Sequence, residues 1–480
     1  MNTTIARAAG HWGQAGLRRG QTSLSLWWTG LSVPRPAILE SMRLLRACLI
    51  GLWIARGLVG DGPACPPDGQ QQSGRARQRA RAARELAREG APAIPQLQAL
   101  LSDPVAEVRL EAVKSLVAID TQYSLDPLVQ ATRDSDPEAQ IRATDGLVNF
   151  YLPGYVHTGL TATLQRVGSV IKVRFTDATD QVIEPHVKVR PEVVEALGKL
   201  ARASGSLEAR ANAARAVGIL RGAAAAPDLL EAIRASKSDQ VIFEGLIALQ
   251  KIGDPGAAPG ITFLLKDLDE KIQIAALETT GLLRNREALP QLREALERAR
   301  NHKIRRAALT AIAMIPEEGS RPLYTRYASD QDDGLRAAAL EGLARLKNPA
   351  DLPQLEKAFN EERRMLPRLS AAFAVVALGK SEAGEFSPLQ YLVNTLNSVA
   401  WRGVAQAFLA ELAREPVVRG PLQEGTRKGT RAEKMHLSQV LARSGGPESV
   451  PYLEALTKDA DTEVAGEAIN ALKTLRARLP

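Results

Sequence analysis

Residues 290–315 read PQLREALERARNHKIRRAALTAIAMI. A proline opens the stretch, Leu292 and Leu296 follow at helical spacing, and a polar turn leads into Ile304, Ala308, Ile312 and Ile315. Those four stand at offsets 0, 4, 8 and 11 of a block beginning at Ile304. At about 3.6 residues per turn they share one face of a helix. Proline suits a first helical turn, where its missing N–H would be unpaired anyway and its ring fixes φ in the helical range. The stretch therefore predicts a helix, a short turn and a second, amphipathic helix. One such hairpin cannot bury its apolar face alone, whereas stacked copies bury a continuous core.

Copies are present. The second block, written apolar, Arg, two variable, Ala, three variable, apolar, two variable, apolar, recurs about every 32 residues. Clean copies start at Val108, Ala209, Val241, Ile304, Leu335, Trp401 and Val464, and weaker ones at Ala76, Ile141, Ile272, Pro367 and Glu433. Offset 4 is Ala in nine copies, as small as close helix approach requires. Proline stands 12 to 14 residues ahead of nearly every block, at Pro95, Pro127, Pro227, Pro259, Pro290, Pro322, Pro353, Pro388, Pro421 and Pro451. Only one interval, 68 residues from Ile141 to Ala209, breaks the rhythm. The prediction is an all-α chain, an α-solenoid of about twelve helix-hairpin repeats with one small β-rich insertion.

This pattern resembles the HEAT repeat family, particularly the short class called PBS-lyase HEAT-like repeats, over residues 75–480 apart from the insertion. The resemblance implies an open helical array; its functional reach is broad, since such repeats serve scaffolds, adaptors, chromophore lyases and a di-iron hydroxylase alike. The hydroxylase reading fails on the residues. His11, His157, His186, His302 and His436 are each followed by something other than Glu, so the His-Glu pairs with which HEAT-type deoxyhypusine hydroxylases bind two irons are missing. HExxH, P-loop and Gly-x-Ser-x-Gly motifs are also absent. No catalytic residue, cofactor or metal site is expected; His157 and His186 could meet, but without a clear third ligand.

The net charge of +8 divides unevenly: residues 1–74 hold 7 Arg against 3 acids, 75–89 hold 6 Arg against 2 Glu, and the remainder balances at 49 against 49. A neutral array argues against a long phosphate-tracking groove, which makes nucleic acid an unfavoured partner. A glycosylase-like groove would also want aromatics for an extruded base, and the array offers Trp401.

From Met42 the order of two Arg, a mostly apolar stretch from Ala47 to Gly60 and small residues before Cys65 is that of a signal peptide, interrupted by Arg56. The chain accordingly divides into a possible over-called extension (1–41), a signal peptide (42–65), a linker (66–74), repeats (75–150), the insertion (151–190) and further repeats (191–480). The expected localisation is periplasmic or otherwise exported, with the cytoplasm as the alternative.

Two sets of residues stand out. Arg recurs at offset 1 (Arg109, Arg142, Arg305 and Arg336 among others) and Asp five residues before several blocks (Asp103, Asp136, Asp267, Asp330, Asp459). Asp caps a helix and an Arg one turn later can reach a neighbouring repeat's Asp, so a ladder of ion pairs is expected, ahead of a ligand-binding arginine row. The insertion alternates at Val170, Lys172 and Arg174 against Ile171, Val173 and Phe175, the pattern of a projecting hairpin. It carries Tyr151, Tyr155, His157, Arg174, His186, Lys188 and Arg190 as candidate partner-binding residues, with a structural wedge or clasp as the other reading. The expected function is a non-enzymatic scaffold holding a protein or peptide on the concave face of the array. A lyase-like or maturation helper of an enzyme is the alternative, and a nucleic-acid binder the third.

Overall fold

The computed structural model describes residues 68–155 and 181–479. The extension and signal-peptide readings, His157 and Arg174 lie outside them. Among the described residues the structure is all-helical and forms one compact unit from Gly69 onward. The first helix, α1 (Asp68–Leu86), already contains residues 68–74, expected as linker. The glutamines of that stretch and the Arg and Ala residues beyond it are good helix formers, which outweigh its two glycines.

Hairpins then follow one another. They are α2 (Ile94–Leu100) with α3 (Ala106–Ile119), α4 (Leu125–Ala131) with α5 (Pro137–Tyr151), and α6 (Pro191–Ala203) with α7 (Leu207–Ile219). Next, α8 (Ala226–Ala235) pairs with α9 (Asp239–Ile252), and a 3-10 helix (Pro255–Lys266) with α10 (Glu270–Leu282). Further along are α11 (Leu289–Arg298) with α12 (His302–Ala313), α13 (Arg321–Tyr327) with α14 (Asp333–Leu346), and α15 (Leu352–Glu361) with α16 (Met365–Ala377). The array continues with α17 (Pro388–Thr395) and α18 (Arg402–Leu412), α19 (Pro416–Lys428) and α20 (Arg431–Ser444), and α21 (Val450–Leu456) and α22 (Thr462–Arg478). Each second helix packs on its own first helix and on the second helix of the next repeat.

Local chemistry sets the boundaries. Pro95, Pro227, Pro290, Pro322, Pro353, Pro388 and Pro451 sit in first turns as expected. Pro259 instead lies within the 3-10 segment, four residues after Pro255. An α-helical turn there would press the Pro259 ring against the carbonyl of Pro255. Pro421 lies inside α19, whose first residue is Pro416. Second helices are capped by Asp136, Ser206, Asp269, Asn301, Asp332 and Asp461, whose side chains accept backbone N–H groups of the first turn.

One block is out of register with its sequence template. Asp103, Asp267, Asp330 and Asp459 each accept the N–H of the residue two positions on, and a second helix starts three positions on. In α5 the residue holding that place is Asp134, bonded to the Asp136 N–H at 2.8 Å. The block therefore starts at Ala139, fully buried, rather than Ile141. Two apolar positions on either side of Gln140 misled the pattern; Asp136 caps the helix, and Arg142 turns back to Glu138 at 2.7 Å.

Within the insertion, residues 156–180 lie outside the described residues. The stretch 181–190, expected as a strand, is irregular, with a turn at Pro185 and His186. Proline removes a ladder donor, and the Ile183 N–H goes instead to the carbonyl of Ile219 at the end of α7, 3.0 Å away. Ile183 is buried in the main core, with Val187 and Val189 packed against it, so this stretch straps onto α7.

The residues expected to form the ladder take other partners. Arg109 makes two 2.8 Å bonds to Asp134 of the next repeat, and Arg79, not Arg77, holds Asp103 at 2.6 Å. Arg336 bonds Glu362 at 2.9 Å and the backbone carbonyl of Asp330. Arg305 donates to the Tyr327 hydroxyl at 3.4 Å, and Arg368 lies over the rings of Phe359 and Tyr391. Asp459 takes Lys434 at 2.7 Å, while Asp267 serves its turn. Arginine at offset 1 thus reaches the next hairpin repeatedly, but its partner there is whichever acceptor or ring that hairpin offers.

Second helices approach closely at small residues. A Cβ on Gly281 would stand 2.6 Å from the Cα of Ala311, and one on Gly218 would stand 2.7 Å from that of Ala248. Because the obstacle is backbone, Gly281→Ala is expected to cost about 1–3 kcal/mol of stability, measured by chemical denaturation. Asp134→Ala should cost about 3 kcal/mol, since it strands an Arg109 that has little access to water. Arg81→Ala, which removes an exposed pair with Glu85, should shift the same midpoint by at most about 0.5 kcal/mol.

The Arg79 hydrogen bond holds Asp103 below the usual carboxylate range; Asp134 is also held low, since Arg109 and backbone N–H bonds outweigh burial. Both contributions are complete above the unfolded value of about 3.9 and are lost as pH falls through the lower folded values, so stability should drop below about pH 4.

Candidate interaction surface

Apolar offsets 0, 4, 8 and 11 bury one side of each second helix, and offsets 7 and 9 carry the close contacts with neighbouring second helices. What remains is the face at offsets 3, 6 and 10. On it lie Lys114, Asp145, Arg215, Glu278, Thr310 and Glu341 at offset 6, and Asn149, Lys251, Arg345, Glu411, Arg443 and Thr474 at offset 10. The residues singled out in the insertion do not converge here as one site.

Tyr151 ends α5, its hydroxyl accepting the backbone N–H of Arg190 at 3.2 Å. The guanidinium of Arg190 reaches Asp126 at 2.7 Å, so this pair fastens the strap to the first helices. Tyr155 points to the second-helix face, where burial pushes its hydroxyl up to about 12 with the Asp145 charge adding to the effect. His186 places Nδ1 3.2 Å from the Thr474 hydroxyl, which also donates to Glu184 at 3.3 Å. Lys188 is exposed. The strap thereby touches the last helix, α22, across 288 residues of sequence.

Two polar clusters occupy the free face. In the first, Arg215 holds Glu244 at 2.5 and 3.1 Å, and Asn212 donates to Asp145 at 3.1 Å. The second is the more enclosed. Arg345, with 9% of its side chain exposed, binds Glu411 through two 2.9 Å bonds and Glu341 at 3.2 Å. Glu341 also accepts the Ser370 hydroxyl at 3.0 Å, and the guanidinium lies 5.2 Å from the Phe373 ring, itself stacked on Phe408. Burial raises the carboxyl of Glu341, while for Glu411 burial is overcome by Arg345, which holds it low. One arginine therefore ties three repeats together, since Glu411 lies two second helices beyond its own.

Glu278 differs from all of these. Its side chain is exposed, it has no ion-pair or hydrogen-bond partner among the described residues, and desolvation alone raises its carboxyl. These free-face groups were legible only as polar residues recurring at offset 6 of otherwise apolar helices. Among the described residues no group of three or more His, Cys, Asp or Glu is placed to hold a metal ion, and no helix is long and apolar enough to cross a membrane.

Arg345→Met is expected to destabilise by about 3–5 kcal/mol, because Glu341 and Glu411 are left as uncompensated carboxylates. Combining it with Glu341→Gln should recover part of that loss in the same denaturation assay.

Residues 71–148, 229–313 and 289–376 match the family model for HEAT repeats. Among solved structures the chain is similar to an engineered protein, at 18% identity and a TM-score of 0.34, covering 80% of this chain and 98% of the other. It is also similar to a structure from work on a phosphorylation switch controlling the interaction between cadherin and beta-catenin, at 14% identity, TM-score 0.36, 83% of this chain and 96% of the other. A third is Kap121p bound to Pho4p, at 14% identity, TM-score 0.38, 87% of this chain and 58% of the other. Against curated proteins the sequence finds no match. TM-scores this low leave the three matched stretches, together with the helix pairs described above, as the findings that place the chain: it is a HEAT-repeat protein.

Proposed function

We propose that the chain is a non-enzymatic scaffold that binds a protein or peptide partner on the free face of its second helices. The observation that carries this reading is the face at offsets 3, 6 and 10, which close packing of the second helices leaves over and on which Lys114, Arg215, Glu278 and Thr310 recur at one helical position. Stacking lines such positions up from repeat to repeat into one continuous surface, the kind on which repeat arrays bind their partners. Clusters around Arg215 and Arg345 stiffen this face on either side, so a partner meets a preorganised surface. The neutral charge balance of the array favours a protein partner over nucleic acid. With the signal-type order of residues 42–65, the scaffold is proposed to act after export.

Affinity capture from a cell-envelope extract, with the full chain as bait, tests the reading. One protein should be retained in stoichiometric amount and released by the paired substitution Glu278→Arg and Thr310→Arg on the free face. Recovery of nucleic acid alone, or retention indifferent to these substitutions, overturns it.

A further inference from the structure

The six arginines of residues 75–89 are sorted by the geometry of α1 and of the 3-10 turn that follows it, Ala87–Glu89. Ala76 and Ala80 are buried against Val108, and Ala83, also buried, takes the Ser115 hydroxyl on its carbonyl at 2.8 Å. This side of α1 packs on the first complete repeat, and among the described residues no helix precedes α1 to cover the rest of it. Arg77, Arg81 and Arg84 each stand one position after one of those alanines, so they share a stripe about 100° further round the helix. Arg88 continues the stripe into the 3-10 turn, and all four are exposed.

Their partners differ. Arg84 meets Glu111 at 2.6 Å, and Arg79, on the other flank, is taken by Asp103. Arg81 pairs with Glu85, but with side chains 80% and 58% exposed that pair is worth little and opens readily. Arg75, Arg77 and Arg88 are exposed and have no hydrogen-bond or ion-pair partner among the described residues. Beyond Glu89 the chain balances at 49 against 49, so the excess charge of the array is gathered on its first helix.

We infer that α1 rests on an anionic lipid surface, with its unpaired arginines among the headgroups, and so holds the first repeat at a membrane. Two observations favour lipid over other anions. Seven residues, 61–67, separate α1 from the apolar stretch 47–60, which on the signal-type reading brings the helix to a bilayer. A basic segment beside an apolar one is the combination with which proteins hold to anionic membranes. The cluster is also short and irregular. Nucleic-acid phosphates stand at fixed spacing, and a groove tracking them would draw on successive repeats, whereas lipid headgroups move to meet arginines wherever they stand. No aromatic residue lies within 75–89 to stack on a base. The site is apart from the free face of the second helices, and the inference is independent of what that face binds.

The test is flotation of the purified full chain with vesicles of phosphatidylcholine alone and of equimolar phosphatidylcholine and phosphatidylglycerol. The apolar stretch 47–60 is offered to both, so the difference between them reads the arginines. The anionic vesicles should bind the chain about a hundredfold more tightly, and the preference should fade as salt rises. Arg75→Gln, Arg77→Gln and Arg88→Gln should each reduce it about fivefold, the equivalent of about 1 kcal/mol per arginine, and together should remove it. Arg286→Gln, which changes an exposed arginine on another repeat, should leave it unaltered. Equal binding to both vesicle sets, or a preference indifferent to the triple substitution, overturns the inference. Tighter binding of a duplex DNA fragment than of the anionic vesicles, lost with the same three arginines, also overturns it and assigns the helix to nucleic acid. Because vesicles are added to purified chain, the result stands apart from export and from capture of a partner.

Discussion

The structure depends on the close approach of consecutive second helices. Where Gly218 meets Ala248 and Gly281 meets Ala311, no Cβ could be added without moving backbone, so the helices are as near as their main chains allow. A chain with 4% aromatic residues can build a long core only in this way, through many small, closely fitted contacts between alanine, leucine, isoleucine and valine. Fully buried large side chains such as Tyr324 and Phe373 are exceptions and are anchored, the first by a hydrogen bond to the Ile312 carbonyl and the second by stacking on Phe408.

Close packing on two flanks leaves each second helix one further face, on which polar and charged residues recur. Paired groups there, Arg215 with Glu244 and Arg345 with Glu341 and Glu411, link repeats across the stack. Glu278, midway along it, has no ion-pair or hydrogen-bond partner among the described residues. The strap adds a second kind of constraint: Arg190 and Tyr151 hold it at one end and His186 and Glu184 carry it to α22.

Helix pairs were legible because proline and apolar spacing report backbone geometry that each repeat satisfies locally. The register of α5 was not, because Ala139 and Ile141 are both apolar and only the turn bond from Asp134 distinguishes them. The strand expectation for 181–190 was carried over from the alternation at 170–175, which is blind to whether a second strand is available; the carbonyl of Ile219 accepts the Ile183 N–H instead. Among the candidate residues, Tyr155 has its hydroxyl buried near Asp145 and Arg215 of the second helices, whereas Tyr151 and Arg190 serve attachment.

The sequence by itself determined the all-helical repeat, its period, its capping and the arginine that leans on the next hairpin, since all of these are contacts within one repeat or between adjacent ones. Only the tertiary structure decided which acceptor each arginine takes, that the strap lies on the end of α7, and that residues 184 and 474 meet. Those contacts depend on how small rotations between neighbouring repeats accumulate along the stack. No local pattern records that sum, because each repeat sees only the one before it and the one after.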